Sequence, residues 1–187
     1  MGFFHNLKMI FRILKDAPKI STQIEAQREE YCKLSPDALA TLEDDELFSA
    51  VQSRVDAIVD PYDSVSEGFS ALSEPQKVFY AVNYLEMEVN NGGLCQFFVN
   101  SSRAVAPCIS DYLGIIGAMD HKALFDGFIS KYGIDLSDLS SFEISRVRDF
   151  EKQAARYPFD EYDDAFYALD TLETPLVAYI RNNITDF

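Results

Sequence analysis

Apolar residues recur three and four positions apart along almost the whole chain, and nowhere does a stretch of strand length alternate β-branched with polar residues. A chain patterned in this way buries one stripe of each helix and offers no face from which to build a sheet. The expected fold class is all-α, a compact single-domain array of about eight helices with short connections. Its 187 residues suit one ordinary core.

The pattern also places the helices. In residues 44–59, Leu47, Phe48, Val51, Val55, Ile58 and Val59 share one face, while Asp45, Ser49, Gln52, Asp56 and Asp60 line another. Ser35-Pro36-Asp37 reads as a helix start, with Ser35 as N-cap and Pro36 at the first helical position. Ser73-Glu74-Pro75-Gln76 has the spacing of a capping box, opening a helix to about Asn90 that buries Val78, Phe79, Val82 and Leu85. Asn91-Gly92-Gly93 is expected to stop it, since glycine enters the left-handed conformation of a C-cap without a Cβ clash. Further helices are predicted at about 94–101, 104–118, 120–132, 142–156, 160–172 and 175–184, the last opened by Thr174-Pro175.

Charge divides the chain into residues 1–20 and residues 21–187. The first segment sets Lys8, Arg12, Lys15 and Lys19 against Asp16, a net +3, so the remainder carries −18 of the total −15. Phe3, Phe4, Leu7, Ile10, Phe11 and Leu14 make residues 3–15 a basic amphipathic helix. It reads first as an extension that packs on the body or pairs chains, and second as a peripheral membrane contact. The acidic body disfavours direct nucleic-acid binding and points to basic partners. Three cysteines, Cys32, Cys95 and Cys108, form no CxxC pair, and no apolar run has the length of a membrane span. A reduced, cytoplasmic protein is expected.

His5 and His121 are the only histidines, and no Glu-x-x-His, His-x-x-x-His or Cys-x-x-Cys spacing could assemble a zinc or di-iron site. P-loop, GxGxxG, GxSxG and calcium-loop patterns are also missing. No metal or cofactor is therefore expected, and the chain is read as a non-enzyme.

The most distinctive string runs from Glu86 to Asn100 and contains Asn90, Asn91, Gly92, Gly93, Gln96, Phe97 and Phe98. It reads as a helix, a glycine turn and a second helix with Phe97 and Phe98 inward. The amides of Asn90, Asn91, Gln96 and Asn100 are expected to bond the free backbone groups at that junction. A satisfied helix corner is the first reading, and a ligand site around Glu86, Asn90 and Gln96 is the second.

This Glu-x-x-Asn-Gly-Gly-x-x-Gln-Phe-Phe-x-Asn string resembles the signature of the bacterial DNA-mimic protein family. Leu113-Gly114-Ile115-Ile116-Gly117-Ala118 and the closing segment from Tyr162 to Phe187 agree with it in order, so the resemblance spans roughly residues 40–187. Leu94 stands where an aromatic is expected, and residues 1–20 lie outside the match. The resemblance implies an all-helical, often dimeric protein whose acidic surface imitates DNA and occupies the DNA-binding face of a transcription factor.

Mimicry needs carboxylates on rigid elements, because a floppy acidic segment loses entropy on binding. Two stripes are candidates for partner binding: Asp45, Asp56 and Asp60, and Asp160, Asp163 and Asp170 beside Tyr167. All six are expected on solvent faces. Three readings stand open: a DNA mimic acting on a basic DNA-binding protein, an immunity or antitoxin protein masking a basic nuclease or toxin, and a small-ligand enzyme at the glycine corner.

Overall fold

Serine side chains at Ser35, Ser64 and Ser73 accept backbone amides and so open three of the helices. The structure, a computed structural model, describes residues 23–187. The amphipathic helix expected at 3–15 lies outside the described residues. Among them are ten α-helices and no strand, in agreement with the all-α expectation. The first five are α1 (23–33), α2 (Pro36–Ala40), α3 (Asp44–Val59), α4 (Val65–Ala71) and α5 (Glu74–Val99). The rest are α6 (Ala106–Ile115), α7 (Met119–Tyr132), α8 (Phe150–Ala154), α9 (Phe159–Tyr167) and α10 (Glu173–Asn182).

The Ser35 hydroxyl accepts the Ala38 amide at 3.2 Å, with Pro36 beginning α2. Ser73 and Gln76 form the reciprocal capping box that opens α5. α5 is apolar on nearly every side, as a central helix must be. It packs against α3, α6, α8, α9 and α10, with Phe79, Val82, Leu85, Val89, Leu94, Phe97 and Phe98 buried. Two aromatic groups extend this core. Phe79 meets Phe48 and Phe187 edge-on, with centroids 5.3 and 6.1 Å apart. Phe98 stacks on Phe142 at 4.9 Å, close to the Phe128, Phe159 and Tyr162 rings.

Three expected helices are shorter than their apolar spacing implied. The one placed at 142–156 shrinks to α8, because Gln153 and Arg156 both donate to the Ser141 carbonyl and fold the chain back on itself. The one at 104–118 begins as a 3₁₀ turn, Ser101–Val105, before Pro107 enters the first turn of α6. The one at 160–172 ends at Tyr167, since Glu86 draws the following loop onto α5 by accepting from the Leu172 amide at 2.8 Å. Asp170 consequently lies beyond α9 instead of on it.

Candidate functional site

The glycine pair breaks α5 without ending it. Gly92 has φ −163° and ψ 24°, and Gly93 has φ 80° and ψ 175°. The second pair is not the left-handed cap expected from the sequence. It falls in a region that only glycine occupies readily. The break interrupts the helical ladder and leaves backbone groups without partners inside the fold, where each must be satisfied.

α9 supplies two of the missing partners. Asp163 Oδ1 accepts the Leu94 amide at 2.8 Å, and the Tyr167 hydroxyl donates to the Val89 carbonyl at 2.6 Å. One side chain serves each arm of α5, so α9 lies across the break as a splint. The third tie is a buried carboxylate. Glu88, 8% exposed, accepts from Gln96 Nε2 at 2.7 Å, Asn100 Nδ2 at 2.9 Å and the Ser102 hydroxyl at 2.9 Å. Glu88 stands on the first arm, Gln96 on the second, and Asn100 and Ser102 just past it. Withdrawing a carboxylate from water costs several kcal/mol unless donors replace the water, and three donors do so here.

The corner therefore differs from its sequence-based expectation. Gln96 and Asn100 bond Glu88 instead of free backbone groups, while Asn90 and Asn91 are exposed and make no side-chain hydrogen bond within the described residues. Phe97 and Phe98 are buried as expected. Glu86 turns away from Gln96 and bonds Thr171 and Leu172, so Glu86, Asn90 and Gln96 do not converge. The carboxylate at the centre of the corner is Glu88 and not Glu86, and the Glu-x-x-Asn-Gly-Gly spacing itself begins at Glu88. Cys95, close by, carries a thiol pushed up to about 11 by burial and by Asp163. At neutral pH it is protonated and a poor nucleophile. Among the described residues no group of His, Cys, Asp and Glu could hold a metal ion.

The six aspartates of the two stripes meet different fates. Asp45 and Asp160 are exposed and unpaired. Asp60 forms an ion pair with Arg28 at 2.6 Å. Asp170 is exposed in the loop before α10. Asp56 and Asp163 are half-buried, against expectation. Asp163 sits four residues after Phe159 and three before Phe166, both buried, so helical spacing puts it at the edge of the buried face. Its carboxyl is raised by burial, a shift opposed by the Leu94 amide and reinforced by Asp160 and Asp164. Exposed, unpaired carboxylates that sequence reasoning missed are Glu46 on α3 and Asp164 on α9. Asp164 follows Asp160 by four, the spacing that places two side chains on one face.

Asp56 accepts from the Tyr84 hydroxyl at 3.2 Å, and burial pushes its carboxyl up to about 6, against the pull of that hydrogen bond. An unfolded aspartate titrates near about 3.9. Between these values the folded chain holds the extra proton, so this group favours folding below about pH 4 and loses that contribution as pH rises through about 6. Asp56→Asn is expected to remove this slope and to raise stability at pH 7 by about 2 kcal/mol. Urea unfolding of both proteins at pH 4.5 and 7 checks it; equal differences at both pH values would contradict it.

No helix among the described residues is long and apolar enough to cross a membrane. A family model described as DMP19-like protein matches residues 70–183, from α4 to the end of α10. The matched region is shorter at its N-terminal side than the resemblance over 40–187 implied. No curated protein and no solved structure matches the chain.

Proposed function

The chain belongs to the DMP19-like protein family, and from that premise we propose that it is a non-enzymatic binding protein of the DNA-mimic type. Its carboxylates take the place of phosphates on the basic surface of a DNA-binding protein, such as a transcription factor. The observation that carries this reading is a set of exposed, unpaired carboxylates on helices that are themselves tied down: Asp45 and Glu46 on α3, Asp160 and Asp164 on α9. Asp163 and Tyr167 lock α9 across the break in α5, so Asp160 and Asp164 are held in place before any partner arrives. Preorganisation of this kind removes an entropy cost that a loose acidic tail would incur on binding.

In this account the glycine string builds the support and the acidic residues make the contact. Asp45 and Asp160 keep their proposed role in recognition, Asp60 and Asp170 add charge at the margins, and Asp56 and Asp163 serve the fold. As a homodimer, which the resemblance implies, the molecule would present each acidic face twice.

Affinity capture from the native cytoplasm, eluted with a salt gradient, tests the reading. The expected result is a DNA-binding protein that elutes as salt rises, because contacts between exposed charges are screened within about 8 Å at physiological ionic strength. A captured nuclease or toxin would favour the immunity or antitoxin reading. Partners held only by salt-resistant contacts would contradict both.

A further inference from the structure

We propose that the groove between α1 and the second half of α3 receives residues 3–15 of the same chain, the basic amphipathic segment that precedes α1. The inference is independent of the mimicry reading. α1 is held along α3 by the Arg28–Asp60 ion pair at 2.6 Å and by Arg54, which donates to the Leu34 carbonyl at 2.6 Å. Between the two helices lies an open groove of about 430 Å³, lined by Glu25, Arg28, Glu29, Cys32 and Lys33 from α1 and by Ala57 from α3.

Ala57 and Cys32 give this groove an apolar wall, which the aliphatic stems of Arg28, Glu29 and Lys33 extend. The heads of those stems are already paired, Arg28 with Asp60 and Lys33 with Glu29. What the groove leaves unfilled is therefore apolar contact. Ile24, four residues before Arg28 on the same face of α1, continues the apolar surface and is 60% exposed.

Three observations select the occupant. The first is the tether. The chain enters α1 directly from residues 16–22, which can span about 23 Å when extended, against about 16 Å for the length of α1. Pro18 within that connection opposes one continuous helix and favours a return onto α1. A short tether also supplies its segment at an effective concentration on the order of millimolar, which a separate molecule does not match. The second observation is patterning. Phe3, Phe4, Leu7, Ile10, Phe11 and Leu14 fall on one helical stripe, and such a stripe must be buried against something. The third is charge. Residues 1–20 carry +3, whereas residues 23–60, which build α1, α2 and α3, hold ten acidic and three basic side chains, a net −7. Docking the apolar stripe sets Lys8, Arg12 and Lys15 over that acidic surface.

The test is maleimide labelling of the natural full chain, read cysteine by cysteine by mass spectrometry. Cys32 lines the groove and is exposed among the described residues, whereas Cys95 is buried and Cys108 half-buried. A segment seated in the groove shields Cys32. Leu7→Asp with Phe11→Asp is expected to speed labelling of Cys32 by about tenfold or more, the change that a loss of about 1.4 kcal/mol of docking produces. Cys95 and Cys108 should keep their rates. Lys8→Glu with Arg12→Glu, which spares the apolar stripe, should speed Cys32 by a smaller factor, as should added salt. Equal labelling of Cys32 in the natural chain and in the Leu7→Asp, Phe11→Asp variant would overturn the proposal. A rise shared by all three cysteines would place the stripe in the core instead of this groove and would overturn it as well. Shielding that grows with protein concentration would assign the groove to a second copy. Unshielded Cys32 together with binding of the full chain to phosphatidylglycerol vesicles would assign residues 3–15 to a membrane, and either result contradicts docking within one chain.

Discussion

Gly93→Val is expected to destabilise the protein by at least about 3 kcal/mol, from two separate causes. At φ 80° and ψ 175° a β-branched residue is strained by about 1–3 kcal/mol. A Cβ at this position would also lie 2.1 Å from Asp163 Oδ2. Asp163 must then move and release the Leu94 amide, a charge-assisted hydrogen bond of about 1.5–3 kcal/mol. Gly92→Ala is the control. Its φ of −163° is ordinary extended backbone, and its Cβ would meet the end of the Gln96 side chain, which can swing aside at the loss of one bond to Glu88. About 1 kcal/mol is expected for that variant. Chemical denaturation of the pair decides, and equal effects would mean that the conformation of Gly93 is not what the corner requires. Gly93→Val also leaves the net charge at −15, so any weakening of the partner complex at a temperature where the variant is folded reports the rigidity of α9 and not its charge.

Glu88→Leu is the second large effect. It removes the acceptor shared by Gln96, Asn100 and Ser102 and replaces it with an apolar group of similar size. The loss is smaller than three full desolvation penalties. Asn100 is exposed and can turn to water, and Ser102 can donate to the Phe97 carbonyl 3.3 Å away. Gln96, half-buried, loses its bond to the carboxylate and gains only partial access to water in exchange. About 2–3 kcal/mol of destabilisation is expected. Glu88→Gln keeps the shape and one acceptor oxygen, so about 1 kcal/mol is expected for it. Glu86→Gln, on a neighbouring carboxylate that bonds only Thr171 and Leu172, should stay within about 1 kcal/mol. Destabilisation by Glu86→Gln as great as that by Glu88→Leu would contradict the assignment of Glu88 as the tie between the arms.

The parts of the fold legible in the sequence were those governed by local chemistry. α3 runs from Asp44 to Val59 as its apolar spacing required, Ser35 caps its helix as expected, and Ser73 forms the capping box with its predicted partner Gln76. Long-range bonds overrode local spacing elsewhere. α9 stops early because Glu86, more than eighty positions away in sequence, captures the loop that follows it. The same applies to the corner. Its glycines and its aromatic pair could be read from composition and order, whereas the roles of Asp163 and Tyr167 depend on α9 crossing α5, which no spacing within either helix reveals. Asp56 and Asp163 fall in register with exposed carboxylates, but Asp163 is equally in register with the buried Phe159 and Phe166, and that second period turns it inward.

The central claim is that rigidly held carboxylates compete with DNA for one basic surface. The direct measurement is the affinity of the captured partner for this protein as a function of salt, with and without that partner's DNA, for the natural chain and for a variant with Asp45, Asp160 and Asp164 changed to Asn. The account predicts mutually exclusive binding of DNA and protein, affinity that falls steeply with salt, and a flatter salt dependence with slower association for the unchanged fold of the triple variant. A ternary complex of partner, DNA and protein, with affinity insensitive to salt and to the three substitutions, would contradict it.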